Sequence, residues 1–537
     1  MSKLKLLDCT LRDGGYINNW RFGKSVINAV CQNLFAANID IIEVGFLTDR
    51  PHGSDESLYS GCEEVREKCF CNGTSKLAAM IALGEKEFDP TDFPCCADSP
   101  LEIIRITFHQ EDDEIQKAIK YAAILMEKGY KVCMQPVGTT AYSDKDLLSL
   151  IEMINQLKPY AFYLVDTLGI LCREELLRFI FLIDYNLDEC IKIGFHSHNN
   201  LQMSFANAQL IAEYHSAREF IIDCSVYGMG RGAGNLCTEL IAQYLNGTEM
   251  SSYNMVPIYE TLDTYIYPIY LVSPWGYSAH YYISAAHKCH PNYAAFLMNK
   301  QTLTMNQIDL ILKNLPIVER DTYNKKLIEE MYYNFQNKSI DDSENIEELK
   351  KYLCEKNILI LAPGKSISIY SKKIKEFISE FNPTTITING SFDGYVSDFV
   401  FISNLKRLYS IDLDKIDSKM IITSNLPNIV RGGYYVDYSS LCNKEFNEPD
   451  NSGIMLIRLM RDIGIKKIYI AGFDGFDETV KNNYYTEKMM NSVNPENISD
   501  KNYSIATQLH RLEKSIDIEF LTPSKYTEIK SDCGEII

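Results

Sequence analysis

Eight short apolar runs, beginning 26 to 36 residues apart, occupy the first 250 residues of the chain. Helical patterns separate them; Ile115, Ile119, Ala122 and Met126, for example, share one face of a predicted helix that ends near Gly129. Strands that alternate with helices pair in parallel, and eight such units in about 250 residues predict a (β/α)8 TIM barrel. The alternative is an open, doubly wound sheet. The runs begin at Lys5, Asp40, Lys76, Glu102, Lys131, Ala161, Ile191 and Glu219.

Polar clusters follow six of these runs, at the strand ends where a barrel carries its active site. The seventh run ends in His196 and His198, and side chains two residues apart on a strand point to the same face. Random loop composition is the alternative, but six clusters on one predicted rim favour a site. The clusters are DCTLRDGG, EVGF, RITFH, VDTLG, HSHNN and GMGRGAGN.

Asp13, His196 and His198 offer the ligand types that hold a divalent cation with positions left open for a substrate. The first and seventh strands of a barrel are separated only by the eighth, so the three side chains can converge. Arg12 can pair with a carboxylate ligand or stabilise an enolate oxygen. The plainer alternative is an Arg12–Asp13 salt bridge beside two hydrogen-bonded histidines. A carboxylate on a nearby strand end favours the metal site.

The chain is too long for one core, since 537 residues exceed the roughly 250–300 that a single core supports. We predict a barrel domain over 1–250, a tyrosine-rich helical extension over 251–345 that completes the active site, and a Rossmann-like α/β domain over 346–537. The polar, acidic segment 337–351 is typical of a linker. Strands of the last domain are expected in the segments 357–366, 384–390, 398–404, 419–425 and 466–476.

Composition and charge exclude several classes of function. A net charge of −19 argues against binding to a nucleic-acid backbone, and no apolar run reaches the roughly 18 residues of a membrane span. Charged residues come early at the N-terminus, so we expect no signal peptide. The 16 cysteines are then typical of reduced thiols in a cytoplasm. We expect small-molecule substrates and a homo-oligomer.

The six clusters, in this order and spacing, resemble the pyruvate-type aldolases and acyl-CoA carboligases. This is the superfamily of 4-hydroxy-2-oxovalerate aldolase, isopropylmalate synthase and hydroxymethylglutaryl-CoA lyase. The resemblance covers residues 4–295 and is strongest to 4-hydroxy-2-oxovalerate aldolase. The segment PWGYSAHYY (274–282) of this chain also resembles part of that aldolase's helical extension. It implies that Asp13, His196 and His198 bind manganese or magnesium and that Arg12 steadies a pyruvate enolate. The other residues to which it gives a role are Thr167 and Glu43 near the substrate, Tyr277 from the extension, and Asn235 as a further ligand or a neighbour of the ligands.

One position departs from the aldolase pattern. The aldolase carries a histidine base three residues after the metal-binding aspartate, and this chain has Tyr16 there. The glutamate that the carboligases carry shortly after the aspartate is also missing. A phenol with a pKa near 10 is a poor base at neutral pH, so proton transfer is expected to use Tyr16 with metal-bound water, His109 or His280. The reaction class follows from the resemblance, but the identity of the acceptor does not.

The C-terminal domain resembles, over residues 356–480, the nucleotide-binding fold of bacterial sialyltransferases and related motility-accessory glycosyltransferases. The segments that carry this resemblance are LAPGKS, TTITINGSFDGYVSDFVFISN and NSGIMLIRLMRDIGIKKIYIAGFDGF. It implies a cytidine-nucleotide site formed by Gly364, Asn389, Ser452 and Gly453. A domain that only docks or oligomerises is the alternative.

Together these patterns predict a divalent-metal-dependent class II aldolase that forms or cleaves a 4-hydroxy-2-oxo acid from pyruvate and an aldehyde. Fusion to a nucleotide-sugar-like domain suggests sugar-acid biosynthesis for a surface polysaccharide. One alternative is an acyl-CoA carboligase of the isopropylmalate synthase type. Others are a bifunctional protein with a C-terminal nucleotide-sugar transferase activity, and a glycosyltransferase or binding protein whose barrel is only a scaffold.

Overall fold

The chain divides into two compact units. The first comprises residues 1–295 and 315–323, and the second comprises residues 296–314 and 324–537. The predicted helical extension, residues 251–345, therefore contributes to both units. The computed structural model describes residues 4–69, 73–86, 88–248, 251–300, 302–413, 416–442, 451–477, 483–485 and 498–529.

The first unit is a closed barrel of eight parallel strands, which confirms the predicted TIM barrel and excludes the open sheet for this unit. The strands are β1 (Leu4–Asp8), β2 (Ile41–Leu47), β3 (Lys76–Ala82), β4 (Ile103–Phe108), β5 (Lys131–Pro136), β6 (Ala161–Asp166), β7 (Lys192–Ser197) and β8 (Phe220–Cys224). The barrel closes because β1 pairs with β2 at Leu7–Ile41 and with β8 at Leu4–Phe220. A two-residue strand, Leu58–Tyr59, also pairs with β2.

Except between β3 and β4, where the described residues contain only the short 3-10 helix Cys96–Asp98, α-helices follow these strands, as the apolar periodicity predicts. They are α1 (Gly15–Asn18), α2 (Lys24–Ala36), α3 (Cys62–Lys68), α4 (Asp112–Glu127), α5 (Asp144–Leu157), α6 (Arg173–Asn186), α7 (Ser204–Glu213) and α8 (Thr238–Gly247). Helix α4 begins with three acidic residues, which the helix dipole favours. Ala118, Ala122 and Leu125 bury its inner face. Gly129 follows the helix at φ 90°, a conformation that strains other residues.

The interior of the barrel is layered. Inward-facing side chains such as Ile103 and Tyr163 form an apolar layer, because alternate residues of a strand face opposite sides of the sheet. The next inward-facing residues of β2, β4 and β8 are Glu43, Arg105 and Asp223, and all three are buried. This polar layer separates the apolar interior from the rim at the carboxyl ends of the strands.

A parallel sheet of seven strands forms the centre of the second unit. The strands are β9 (Ile358–Leu361), β10 (Thr384–Ile388), β11 (Phe399–Ile402), β12 (Lys419–Thr423), β13 (Tyr434–Val436), β14 (Lys467–Ala471) and β15 (Asp517–Phe520). Their order is β13-β12-β11-β10-β9-β14-β15. The sequence predicts five of them; β13 and β15, three and four residues long, are additional. The order reverses between β9 and β14, so the carboxyl ends of these two strands border a crevice.

Residues 251–336 are mostly helical, as predicted, and the helices of the second sheet follow them. The former are α9 (Met255–Thr261), α10 (Tyr267–Val272), α11 (Ala279–Ala286), α12 (Pro291–Asn299), α13 (Met305–Lys313) and α14 (Lys325–Gln336). The latter are α15 (Ser343–Leu353), α16 (Ser366–Ile369), α17 (Ser371–Phe381), α18 (Leu405–Ser410), α19 (Tyr438–Leu441), α20 (Ser452–Asp462), α21 (Ile498–Glu513) and α22 (Lys525–Glu528). No helix in the described part of the chain has the length and apolar composition needed to cross a bilayer.

The segment 337–351 is not the linker that its composition predicts. Helix α15 occupies its second half, and Leu349 and Leu353 are fully buried in the same cluster as Ile358 and Ile360 of β9. The acidic and basic residues of α15 form its solvent-facing side, which is why the segment is polar on average.

Candidate functional site

Three predicted metal ligands meet at the carboxyl-terminal rim of the barrel. Asp13 follows β1, His196 lies in β7, and His198 follows β7. One ligand atom from each residue lies within 4.8 Å of those from the other two, and all three side chains are buried. A carboxylate and two imidazoles at this spacing suit a divalent cation.

The two imidazoles differ in their partners. His196 Nδ1 lies 3.0 Å from Asp223 Oδ2, which leaves Nε2 for a cation, and carboxylates commonly orient metal-binding histidines in this way. His198 Nδ1 is buried without a hydrogen-bond partner. Burial lowers the pKa of the His198 imidazole to about 3, so the ring is neutral at physiological pH. A neutral, buried imidazole with an unpartnered nitrogen fits the requirements of a metal ligand.

Asp13 is held in its ionised form. Burial raises its pKa, but the Arg12 guanidinium and the two imidazoles outweigh burial and hold the pKa of Asp13 below its ordinary value. Asn235 Nδ2 donates to Asp13 Oδ2 over 2.7 Å, and Asn235 Oδ1 is buried without a partner. Asn235 therefore lies beside the ligand set, and its role as a ligand stays a prediction.

A chain of buried ion pairs continues from Asp13 into the polar layer. Arg12 Nη1 donates to Asp13 Oδ1, and Arg12 Nε donates to Glu43 Oε2 over 2.9 Å. Arg105 donates to the same Glu43 oxygen over 2.6 Å and also to Asp223 Oδ2. Glu43 is fully buried and does not line the cavity at the rim. The structure therefore places Glu43 against Arg12, outside the cavity wall, and its predicted role near the substrate has no support from this geometry.

Sequence reasoning missed Arg105 and Asp223. Both connect the ligand set to the interior, since Asp223 contacts His196 and Arg105 contacts Asp223. One signal was present in the sequence: each is a single charge at an inward-facing position of an otherwise apolar strand. Such a charge must be paired when it is buried.

A cavity of about 160 Å³ opens at this rim, and Asp13, His196 and His198 line it. Thr167 also lines it, with its Oγ1 accepting the Gly138 N–H over 2.8 Å. His109 lines the cavity with its Nδ1 3.0 Å from Glu114 Oε2. The apolar part of the wall consists of Phe46, Met80, Ala82, Leu83, Val137 and Val165.

Tyr16 lines the cavity on the first turn after Asp13. Its hydroxyl donates to Glu85, with Oε1 at 2.8 Å and Oε2 at 2.7 Å. Burial and the Glu85 carboxylate raise the pKa of Tyr16 well above its ordinary value. Tyr16 therefore keeps its proton at neutral pH, and its role in proton transfer stays a prediction. Glu85, which also lines the cavity, was missed by sequence reasoning.

The extension contributes residues other than the expected one. Tyr277 lies in the loop before α11, is 65% exposed and does not line the cavity, so the structure does not bring it to the site. His280 also lies outside the wall, with its Nδ1 3.1 Å from Ser278 Oγ. His290 and Tyr323 do line the cavity, and their rings stack with centroids 6.0 Å apart.

Arg231, from the cluster GMGRGAGN, also lines the barrel cavity. Its guanidinium lies 5.4 Å from the centroid of the Tyr16 ring. Its Nε is buried without a hydrogen-bond partner. Arg231 therefore presents a cation to the cavity beside the Tyr16–Glu85 pair.

The second unit has its own cavity, of about 140 Å³, at the carboxyl ends of β9, β10, β11 and β14. Gly364, Asn389, Ser452 and Gly453, the four residues predicted to surround a nucleotide, all line it. Ser452 begins α20 and donates to Asn389 Oδ1 over 3.5 Å. The cations in the wall are Lys300, Arg407 and Lys501. The structure thus brings the four residues together, and the nature of the ligand stays a proposal.

Comparison with known proteins concerns the barrel. The HMGL-like family matches residues 3–264. The 4-hydroxy-2-oxovalerate aldolase of Geobacillus genomosp. 3 is 23% identical over 277 residues, which are 50% of this chain and 77% of the relative. The oxaloacetate decarboxylase of Mycobacterium tuberculosis is 25% identical over 45% of this chain and 69% of the relative. The 2-isopropylmalate synthase of Aquifex aeolicus is 26% identical over 48% of this chain and 51% of the relative.

Among solved structures, the N-terminal domain of an aldolase candidate from Bacteroides vulgatus is similar to this chain. It is 26% identical, with a TM-score of 0.48, over 56% of this chain and 98% of that domain. The residues that match the HMGL-like family, 3–264, contain Asp13, His196, His198 and the strands that carry them. The barrel of this chain belongs to the HMGL-like family.

Proposed function

We propose that the barrel is a divalent-metal-dependent class II aldolase that forms or cleaves a 4-hydroxy-2-oxo acid from pyruvate and an aldehyde. The observation that carries this proposal is the buried set Asp13, His196 and His198 with Arg12 beside it, at the active rim of an HMGL-like barrel. The relatives named 4-hydroxy-2-oxovalerate aldolase support the choice of reaction.

The roles of the chain's own residues follow from their contacts. A manganese or magnesium ion bound by Asp13, His196 and His198 would supply Lewis-acid stabilisation of the negative charge that develops on the 2-oxo acid. Arg12, held by Glu43, aims a fixed guanidinium into the cavity, where it stabilises an enolate oxygen. Thr167 accepts the Gly138 N–H, so its hydroxyl proton is available to a substrate oxygen.

The cavity wall limits the substrates. Its apolar side chains exclude water from the reacting carbon atoms, which protects an enolate from premature protonation. Arg231 gives the wall an additional positive charge, which favours an acceptor or product with an anionic group.

The test of this proposal is removal of the two imidazoles. The variant His196→Ala/His198→Ala should lose bound manganese by elemental analysis and lose turnover of pyruvate with a panel of aldehydes, read by mass spectrometry. The barrel should still fold, because its core lies below the rim. His215→Ala, on the exposed surface, is the matched control and should retain both. Full manganese occupancy in the double variant would contradict the assignment.

An acyl-CoA carboligase is the second candidate, because the relatives include a 2-isopropylmalate synthase. The two reactions differ in the carbon acid that they activate. An aldolase exchanges the methyl protons of pyruvate with solvent deuterium, whereas a carboligase exchanges those of acetyl-CoA. Exchange measured on both compounds by proton NMR separates the two candidates.

For the second unit we propose a nucleotide ligand, in the crevice where the strand order reverses. Burial lowers the pKa of Lys501 to about 8, and an anionic ligand would favour its charged form. Lys501 lies beside Phe476, which offers a ring face to a base. Calorimetry should show that cytidine monophosphate binds and that Lys501→Gln weakens binding of the monophosphate more than that of cytidine. The exposed Lys514→Gln is the control.

This pairing of an aldolase with a nucleotide site agrees with sugar-acid biosynthesis for a surface polysaccharide, which we keep as part of the proposal. A second unit that only docks or oligomerises would bind no nucleotide. The expected homo-oligomer stays a prediction, for which sedimentation equilibrium is the measurement.

A further inference from the structure

Tyr16 and Glu85 form a hydrogen-bonded pair that leads from the cavity to solvent. Tyr16 lies three residues after Asp13, and its hydroxyl contacts both carboxylate oxygens of Glu85, at 2.7 and 2.8 Å. Both residues line the cavity, and the Glu85 side chain is 44% exposed. A proton that reaches Glu85 can therefore leave to water without crossing the protein.

The charges around Tyr16 and Glu85 determine which of the two donates a proton and which accepts it. Lys86 Nζ donates to Glu85 Oε1 over 2.7 Å, and the Arg231 guanidinium lies over the Tyr16 ring. Burial raises the pKa of Glu85, but Lys86, the Tyr16 hydroxyl and Arg231 outweigh burial and bring this pKa below its ordinary value. Glu85 is thus an ionised acceptor at neutral pH, and Tyr16 is a protonated donor.

The other expected bases are placed differently. His109 Nδ1 contacts Glu114, and His280 lies outside the cavity wall. Among the described residues, Glu85 is the carboxylate that meets the hydroxyl at the position where the aldolase pattern has its histidine. The chain therefore has an acceptor for the Tyr16 proton at hydrogen-bond distance.

We propose that Tyr16 and Glu85 form a proton relay for the carbon–carbon step, an inference that rests on the aldolase function proposed above. In the cleavage direction, the C4 hydroxyl of the 4-hydroxy-2-oxo acid gives its proton to Tyr16 Oη while the Tyr16 proton passes to Glu85. The O–H electrons form the aldehyde C=O bond, and the C3–C4 pair becomes the enolate of pyruvate. In the synthetic direction Glu85 returns its proton through Tyr16 to the new alkoxide, so protons and electrons balance without a co-reactant.

Tyr16 touches the reacting oxygen in this relay, and Glu85 acts through Tyr16. The two side chains are therefore expected to act as one unit, because neither can pass a proton without the other. Removal of either should cost on the order of a hundredfold in the rate of carbon–carbon cleavage, as expected for a lost general base. Removal of both should cost no more than the larger single loss.

The experiment uses the full chain, loaded with manganese, and 4-hydroxy-2-oxovalerate as the probe. Cleavage rates are compared for Tyr16→Phe, Glu85→Gln, Glu85→Asp and the double variant Tyr16→Phe/Glu85→Gln. Glu85→Asp keeps the carboxylate one methylene further away and should retain an intermediate rate, which also covers the case in which Glu85→Gln does not fold. Manganese occupancy and the exchange of pyruvate methyl protons in deuterium oxide are measured on each variant and should persist.

Glu102→Gln is the matched control. Glu102, like Glu85, accepts a hydrogen bond from a lysine, since Lys76 Nζ donates to Glu102 Oε2 over 2.7 Å. Glu102 lies just before the start of β4, at the end of the strand opposite the rim. The control variant should cleave at the wild-type rate. Wild-type cleavage by Glu85→Gln, or losses in the double variant that multiply, would overturn the relay. A wild-type enzyme that neither cleaves any 4-hydroxy-2-oxo acid nor exchanges pyruvate would instead overturn the proposed function, and the relay with it.

Discussion

At Arg12 the contribution of the positive charge can be separated experimentally from that of the planar guanidinium. Its guanidinium contacts Asp13 through Nη1 and Glu43 through Nε at the same time. A lysine carries the same charge but has a single nitrogen, so it cannot keep both contacts and also face the cavity. We therefore expect Arg12→Lys to retain bound manganese and to lose on the order of a hundredfold in turnover.

Elemental analysis and pyruvate proton exchange check this expectation together. Arg21→Lys is the control, because Arg21 is largely exposed and contacts Glu56 outside the cavity wall. Exchange by Arg12→Lys close to that of the wild type would show that Arg12 is only a salt-bridge partner.

At the scale of single residues, the sequence was informative where chemistry and chain position coincide. His196 and His198 are close in sequence, so their convergence could be predicted from strand geometry alone. Glu85 could not be predicted in the same way, because its contact with Tyr16 spans 69 positions and depends on how the segments after β1 and β3 fold. Tyr277 shows the opposite case: its segment resembles an aldolase extension, yet the side chain is exposed.

The loop after β8 is the element that holds the ligand set against the strands. A Cβ atom on Gly230 would lie 2.5 Å from Asn235 Nδ2 and 2.9 Å from Asp13 Oδ2. The added methyl group of Gly230→Ala would therefore clash with Asn235 Nδ2 and Asp13 Oδ2, the two atoms of the hydrogen bond that joins these residues. Neither atom lies at the end of a long, flexible side chain that could move away. We expect at least tenfold weaker manganese binding, since misplaced ligands and their partners cost about 10–100-fold.

Manganese titration by calorimetry measures the effect of Gly230→Ala. The control is Gly247→Ala at the end of α8, where an added Cβ would meet no atom within 4 Å. Equal manganese affinity for the two variants would show that the loop does not constrain the ligand set.

Elements were predictable where the apolar pattern is regular. The eight barrel strands and five strands of the second sheet are buried runs flanked by turns, and their pattern needs no tertiary information. Helix α15 was missed because its polar face dominates its composition. Its two buried leucines belong to the same cluster as residues of β9, and this packing cannot be read from the composition of the segment. The strands β13 and β15 lie at the two edges of the sheet; β13 has three residues and β15 alternates exposed and half-buried positions, so neither forms a buried apolar run.

At the scale of the whole molecule, the boundary between the units could not be read from composition. Residues 315–323 return to the first unit after residues 296–314 have joined the second. Two hydrogen bonds explain this return: His290 N donates to Arg320 O over 2.7 Å, and the Arg320 side chain donates through Nη1 to His287 O over 2.9 Å. Such contacts between distant segments leave no periodic trace in a sequence.

The stability of the first unit should depend on pH through Asp8. Asp8 is buried below the rim and accepts from Thr238 Oγ1 over 2.7 Å and from Thr10 N over 2.9 Å. Burial raises its pKa from 3.8 to about 6, despite these hydrogen bonds. Between pH 4 and 6 the folded state therefore holds a proton that the unfolded state has released, so the free energy of unfolding falls as pH rises. Asp13, whose pKa is lowered, has the opposite effect and acts mainly below pH 4.

Asp8→Asn should remove this contribution, because an amide stays neutral and its nitrogen can donate to the Thr238 hydroxyl as a protonated carboxyl would. The contribution of Asp8 to the decline in unfolding free energy between pH 4 and 6, roughly 3 kcal/mol for such a shift, should disappear, so the decline becomes less steep than in the wild type. The decline itself does not vanish, because burial also raises the pKa of Asp166 to about 6.

Urea unfolding followed by tryptophan fluorescence, in the presence of a chelator, measures the effect of Asp8→Asn on the first unit, since both tryptophans of the chain, Trp20 and Trp275, lie there. Asp144→Asn, on the surface helix α5 with a side chain 61% exposed, should keep the wild-type slope. If Asp8→Asn also kept that slope, Asp8 would be ionised in the folded barrel at pH 5, and its hydrogen bonds from Thr10 and Thr238 would outweigh the effect of burial.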